Sequence, residues 1–443
     1  MDIDSDDGSL FADSDEEIIS SDSESDDDTI TANKVHLDLN DADVRKWCAI
    51  DISKKNVAPL RYPFTGNSGI KSDICDPDDV LELFQLFFDK NIMESIVKET
   101  NLYADQYFEK TVLTPSSRSL KWENTTVEEI NRFIAILLLQ GINGKPVERW
   151  YWSKRPILST PVFGQIMSSE RYSLIMKFLH FENNEDFHPK THPKLKKIYH
   201  LHKNLVKNFQ KVYKPKQEVT VGESLLGYKG LLGWKQYFPT KRSRFGIKLC
   251  QLCESDSGYI WNSIIYTGKG TLFDEKYDHM NTSTKSVLSL MDNLLGQGYA
   301  LTTDNFYTSP ELAELLIKEK TELYGTMKAN RKGLPPSLKT TKLKKDEIMG
   351  FQKGKICVLK WQDKKPLCML STCHTAELIE VSSNTNGTVR KKPTVVVDYN
   401  KTMSGVDHSD QCLSYYSITR NQQRKYYKKI FRYLLNQAVW LVG

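Results

Sequence analysis

From Glu218 to Met327 the hydrophobic pattern changes period, and the order of segments it produces narrows the fold more than any bulk property of the chain. "EVTVGESLLGYKG" (218–230), "RFGIKLCQLCES" (244–255) and "GYIWNSIIYTG" (258–268) read as three successive strands with short connections. "STKSVLSLMDNLLGQG" (283–298) then shows an amphipathic helix closed by glycine. "YALTTDN" (299–305) reads as a short strand, "SPELAELLIKEK" (309–320) as a helix and "ELYGTM" (322–327) as a strand. A three-strand meander thus turns into an α/β unit. Inside its first strand stands Gly222, which weakens a strand and gives it nothing to pack.

Few folds share that order; it is the order of the ribonuclease H-like fold. In such a domain carboxylates converge on two divalent cations that clamp the attacking and leaving oxygens of a phosphodiester. One comes from the middle of the first strand, one from the end of the fourth, and one from a following helix. The fourth strand here ends "TTDNFYTSP", which puts Asp304 where strand gives way to loop. An Asp there is also an ordinary turn former. Further on, "GVDHSDQ" opens a helix with Asp407 and Asp410 three apart, on one face. Acidic residues near a helix start also complement its dipole.

The rest of the chain divides around this core. Residues 1–30 hold 13 Asp/Glu and no Lys/Arg, leaving +18 on residues 31–443 once that −13 is taken from the total of +5. A self-repelling acidic segment cannot bury a core, so residues 1–33 are expected to be a disordered tail. Its serines lie among acidic residues, where an acidophilic kinase could phosphorylate them. Residues 34–76 read as a linker and 77–215 as a helical domain. Within it "DPDDVLELFQLFFDKNIMESIVKETN" reads as one helix with Pro77 in its first turn. "NTTVEEINRFIAILLLQGI" offers Thr126 and Glu129 as a capping box, with Gly141 as the stop. Residues 216–325 form the first part of the ribonuclease H-like domain, 326–395 an insertion, 396–417 its second part, and 418–443 a return to the helical domain. "PTVVVDYN" (393–400) reads as a short strand before a helical run.

A basic body suggests a polyanionic partner, nucleic acid first, although a solvated lysine-rich surface has the same composition. Residues 190–216 contain nine lysines and no acidic residue, Lys196, Lys197, Lys203 and Lys207 among them, which favours a phosphate-facing helix. "GWKQYFPTKRSRFGIK" adds Lys235, Lys241, Arg242, Arg244 and Lys248 among aromatics. Cys250 and Cys253 form the only C-x-x-C, but residues i and i+3 of a strand face opposite sides, so they read as core thiols. No run of about 18 apolar residues offers a membrane span. The polar N-terminus offers no secretory signal.

In its motifs the chain resembles the piggyBac transposase family. The resemblance rests on "LFFDKNIMESIVKETNLYA", "TVEEINRFIAILLLQGI", "ERWYWSKRPILSTPVF", "QYFPTKRSRFGIKL", "TTDNFYTSPELAELL", "GTMKANRKGLP" and "VDYNKTMSGVDHSDQ". It implies a ribonuclease H-like catalytic domain with an insertion, embedded in a helical DNA-binding and dimerisation domain, here 77–215. It further implies cut-and-paste transposition at TTAA targets with Mg²⁺, double-stranded DNA as partner, a possible homodimer and a nuclear location. Arg331 and Lys332 of "GTMKANRKGLP" join the expected DNA-binding set. Where the family's first strand reads like V-D-E this chain has "VGE", so Gly222 takes the place of the first catalytic Asp. Asp304 matches the second carboxylate, Asp407 the third and Asp410 a nearby fourth; these three are the metal ligands the resemblance implies, holding metal weakly if at all. Glu223 is expected to face away from the metals unless a bulge turns it inward. Restoring a carboxylate at 222 is expected to be geometrically simple. Many members add a cysteine-rich zinc module after the catalytic domain, and this sequence is expected to lack it. The reading is a DNA-binding relative with impaired catalysis; the alternatives are an active transposase and a protein-interaction factor acting through its acidic tail.

Overall fold

The computed structural model describes residues 46–54, 56–186, 194–239, 243–382, 389–420 and 423–442. The central sheet carries the strands β1 (Glu218–Gly227), β2 (Phe245–Glu254), β3 (Ile260–Tyr266), β4 (Ala300–Thr303) and β5 (Glu322–Thr326). Their spatial order is β3-β2-β1-β4-β5. The first three pair antiparallel, while β4 runs parallel to both β1 and β5. This is a mixed sheet of ribonuclease H-like order.

The segment 326–395, expected to be an insertion, joins the central sheet. Its strands β6 (Ile348–Lys353), β7 (Ile356–Gln362) and β8 (Pro366–Ser371) extend the central one, with β8 antiparallel on β5. A hairpin of β9 (Leu378–Ser382) and β10 (Val389–Pro393) follows. At the outer edge Cys48–Ala49 pairs with β6.

Among the described residues five helices of eight or more residues precede the sheet: α1 (Val80–Phe87), α2 (Lys90–Lys110), α3 (Val127–Ile142), α4 (Ser169–Phe178) and α5 (Tyr199–Val212). Next come α6 (Thr282–Met291) and α7 (Pro310–Lys318), then α8 (Thr394–Thr402), α9 (Gly405–Tyr415) and α10 (Tyr426–Val442). Strand alternation splits the core in two. Val219, Val221, Cys250 and Leu252 face a cluster with Leu290 of α6 and Leu312 of α7. Leu226, Ile247, Leu249 and Cys253 face the other, which joins α9, α10 and the first five helices. Cys250 and Cys253 are buried free thiols on opposite sides.

Several local expectations change. The segment after Pro77 is two helices, because Asp89 accepts from the Ile92 N–H at 2.8 Å and starts a second one. Pro77 lies ahead of the first, whose cap is Asp79. Thr126 caps α3, but Glu129 turns to Arg171 and Thr125 instead of closing a box. Gly141 does not stop α3: a Cβ there would lie 2.4 Å from the Tyr416 carbonyl, so the glycine admits a crossing backbone. "TVVVD" is helical, since Val395 and Val396 of α8 pack on Tyr324, Trp361 and Met369. Tertiary burial there overrides β-branched propensity.

The described part of the linker is a docked strap. Trp47 donates to the Gly333 carbonyl at 2.7 Å, Arg61 reaches Glu218 at 2.9 Å, and Phe64 meets Tyr299 edge-on at 4.9 Å. The acidic tail lies outside the described residues.

Candidate catalytic centre and cationic surfaces

Alternation along β1 sends Thr220, Gly222 and Ser224 toward α9, and Val221 and Glu223 the other way. α9 starts hard against the sheet: a Cβ on Gly405 would lie 2.7 Å from the Glu254 carbonyl and from Thr220. The next residue, Val406, covers Gly222. A Cβ built on Gly222 would stand 3.0 Å from Val406 Cγ2 and 3.1 Å from its Cβ. One turn later Asp410 accepts from Ser224 Oγ at 2.5 Å, and Ser224 also meets the Tyr433 hydroxyl at 2.8 Å. The space beside Gly222 is therefore already packed, which corrects the expectation that a carboxylate restored there meets no obstacle.

Asp304 closes β4. Its Oδ1 accepts from the Phe306 N–H at 2.9 Å, making a turn, and Arg331 donates to the carbonyls of Asn305 and Phe306 in that turn. Burial, with the charge of Glu223 next in size, pushes the Asp304 carboxyl from its ordinary 3.8 up to about 6. Asp407 is exposed in the first turn of α9. Tyr399 of α8 feels both carboxylates: burial pushes its hydroxyl up to about 12, a hydrogen bond with Thr326 opposes the rise, and the charges of Asp304 and Asp407 add to it.

Glu223 stays on the face away from α9, with the β1–β2 register unbroken across it. There it pairs with Lys248 and accepts from the Tyr307 hydroxyl at 3.3 Å. Lys248, expected to face DNA, is instead 9% exposed and set among the rings of Phe238, Tyr266 and Phe306. The signal was present in the sequence: alternation puts Lys248 on the same face as Cys250 and Leu252. The Arg331 grip on the Asp304 turn and the Ser224–Asp410 bond carried no such signal.

These donors do not fit a two-cation Mg²⁺ clamp. Gly222, expected at the position of the first carboxylate, offers no side-chain oxygen, Asp410 accepts from Ser224, and Glu223 is paired with Lys248. Among the described residues no three His, Cys, Asp or Glu side chains come together as a metal site.

The other expected cations separate by exposure. Lys203 and Lys207 project from α5 opposite the buried Leu201, Leu205 and Phe209, and Lys196, Arg244 and Lys332 are exposed. Lys197 is half-buried over the Tyr427 ring at 5.3 Å, and burial lowers its pKa. Lys235 is half-buried over Phe245 at 5.1 Å. Lys241 and Arg242 lie outside the described residues, as do His188, Lys190 and His192.

Known proteins resemble this chain in both sequence and fold. The family described as transposase IS4 matches residues 79–440. Human PiggyBac transposable element-derived protein 2 is 26% identical over 370 residues, covering 81% of this chain and 60% of its own length. Human PiggyBac transposable element-derived protein 3 is 26% identical over 360 residues, covering 78% and 57%. The chain thus spans less than two thirds of the length of these relatives. A cryo-EM structure of a piggyBac transposase synaptic complex with hairpin DNA superposes with a TM-score of 0.71 at 24% identity, covering 84% of this chain and 74% of that one. Sequence motifs, sheet order and these likenesses agree: the chain belongs to the transposase IS4 family, as a piggyBac-derived protein.

Proposed function

We propose that this chain is a piggyBac-derived protein that binds duplex DNA through its backbone phosphates and is impaired in cut-and-paste chemistry. The observation that carries the second part is Gly222 itself. It stands mid-strand under Val406, where the family pattern has its first catalytic Asp, and leaves Asp304 and Asp407 as the remnant of a triad. Loss of one ligand weakens a metal clamp and with it the Mg²⁺-dependent reaction. The DNA part is supported by the +18 charge of residues 31–443, by the exposed Lys203 and Lys207, and by a structural likeness to a complex that contains DNA. A homodimer and a nuclear location go with that reading.

Two assays test it. Duplex affinity falls steeply with salt if phosphates are the contact. An excision assay on a TTAA-flanked donor gives no product above background. Salt-independent binding overturns the first part, and robust excision overturns the second. One observation favours a working transposase instead: the Glu223 charge reaches Asp304 and adds to the rise in pKa that burial causes. On that reading Glu223 replaces the missing ligand, and Glu223→Gln abolishes excision that the unaltered protein performs.

A further inference from the structure

The insertion holds a second cationic feature, apart from α5 and from the carboxylates. A cleft of about 710 Å³ lies where the β7–β8 turn meets the loop after the short helix Pro336–Thr340. Three separate segments wall it: Lys342 and Lys345 from the loop, Lys360 from β7, and Asp363 and Lys364 from the turn. Four lysines thus border one concavity, with a single acidic residue among those that line it.

The arrangement is held in place. Lys360 is only 8% exposed, and its Nζ donates to the Thr341 carbonyl at 2.8 Å, tying the lysine loop to the strand. Asp346 takes the left-handed region at φ 66°, costly for a residue other than glycine, and donates its N–H to the Gln362 carbonyl at 2.7 Å. The adjacent Glu347 turns its carboxylate back to the Lys344 N–H at 2.7 Å, so it is occupied by the backbone. Like charges within a Debye length of about 10 Å repel. A concavity bordered by four lysines suits an anion carrying several oxygens, and lysine ammoniums suit phosphate as point charges.

We propose that this cleft seats backbone phosphates of duplex DNA, as a second anchoring surface on the insertion. The assignment rests on the DNA reading above. It is supported by continuity along the chain, because the lysine loop follows from the exposed Lys332 and from Arg331, which grips the Asp304 turn.

The test is a salt series of duplex binding, read by fluorescence anisotropy with the full chain. Replacing Lys342, Lys345 and Lys364 together by Ala is expected to lower the slope of log affinity against log salt by roughly 0.9 per lost contact, hence up to about 2.7, with the melting temperature unchanged. Single replacement Lys342→Ala is expected to lower it by about 0.9. A reference variant replaces Lys203, Lys207 and Lys211 of α5. If the reference flattens the slope and the cleft variant matches the unaltered protein, the cleft assignment falls and the DNA reading stands. If the unaltered protein shows no salt-dependent binding, both fall. Inorganic phosphate at matched ionic strength distinguishes a small ligand. Phosphate that raises the melting temperature of the unaltered protein only, with duplex affinity equal in both, overturns the duplex assignment.

Discussion

At the scale of single residues, Gly222 and Asp304 make opposite demands on their surroundings. Val406 is stiff about χ1 in its helix and fully packed, so it yields little to a new atom at 222. Gly222→Ala is expected to destabilise the fold by about 1 kcal/mol, since overpacking outweighs the entropic gain of losing a strand glycine. Gly222→Asp is expected to cost more, because it adds charge beside α9. Combining it with Val406→Ala should recover part of the loss, a non-additivity read from urea melts of the four proteins. Simple additivity would mean that the two side chains do not meet. Asp304 titrates in the opposite sense to a paired carboxylate. Its folded pKa of about 6 lies above the ordinary 3.8, so the folded state holds more protons between those values and stability falls as pH rises through that window. Asp304→Asn keeps the acceptor for the Phe306 N–H and removes the charge. It is expected to stabilise the protein at pH 7, by on the order of 1–2 kcal/mol, and to have little effect at pH 4. An equal effect at both pH values would remove burial of the charge as the cause. What alternation alone could reveal here was the side each residue takes: Gly222 toward the helix, Glu223 and Lys248 away from it. It could not reveal that Glu223 and Asp304 feel each other, because Asp304 lies past the last strand residue, where a turn and not the pleat sets its direction.

At the scale of elements, the strands were legible and some helices were not, for a physical reason in each case. β1 to β5 carry their burial pattern in their own sequence. α8 does not: its run of β-branched residues becomes helical only because β5, β7 and β8 offer Val395 and Val396 a surface. α10 is the harder case, since it buries Lys428, Lys429 and Arg432, residue types that are rarely inside. Each has a partner from a distant element. Lys428 donates to the Met176 and Lys177 carbonyls at the end of α4, Lys429 to the Arg420 carbonyl, and Arg432 to Glu148 at 2.7 Å. Burial, aided by neighbouring Lys425, pulls the Lys428 ammonium from 10.5 down to about 7. The unfolded chain then binds more protons than the folded one between about pH 7 and 10.5, so stability rises with pH across that interval. Lys429, lowered to about 8 by burial first, adds to the same trend. Urea melts at pH 7 and pH 9.5 should show the protein more stable at the higher value, and Lys428→Met should flatten the difference. A protein equally stable at both would place these ammoniums in water.

At the scale of the whole molecule, the docked strap decides where the acidic residues at the N-terminus can act. Trp47 binds the Gly333 carbonyl, and Cys48–Ala49 pairs with Phe351 and Gln352 at the sheet edge. The chain therefore reaches the body beside Lys332 and on the insertion that carries the lysine cleft. Thirteen carboxylates on residues 1–30 are tethered there by a short length of chain. Tethering makes their encounter with nearby cations intramolecular, with an effective concentration set by the length of the connecting chain. They compete with DNA phosphates for the same ammoniums, and the competition is electrostatic. Deleting residues 1–33 is therefore expected to tighten duplex binding at low salt, and the gain should shrink as salt screens both interactions. Phosphorylating the tail serines adds close to two negative charges each and should weaken duplex binding further. Because residues 47–49 dock on the segment that carries the cleft, while the strap reaches the end of α5 only at residues 69–71, the gain on deletion should be smaller in the Lys342/Lys345/Lys364→Ala variant. In the variant lacking the α5 lysines it should be retained in full. Anisotropy titrations of the six proteins at low and high salt read all of this at once. An affinity unchanged by the deletion at low salt would mean that the acidic segment engages some partner other than this basic surface.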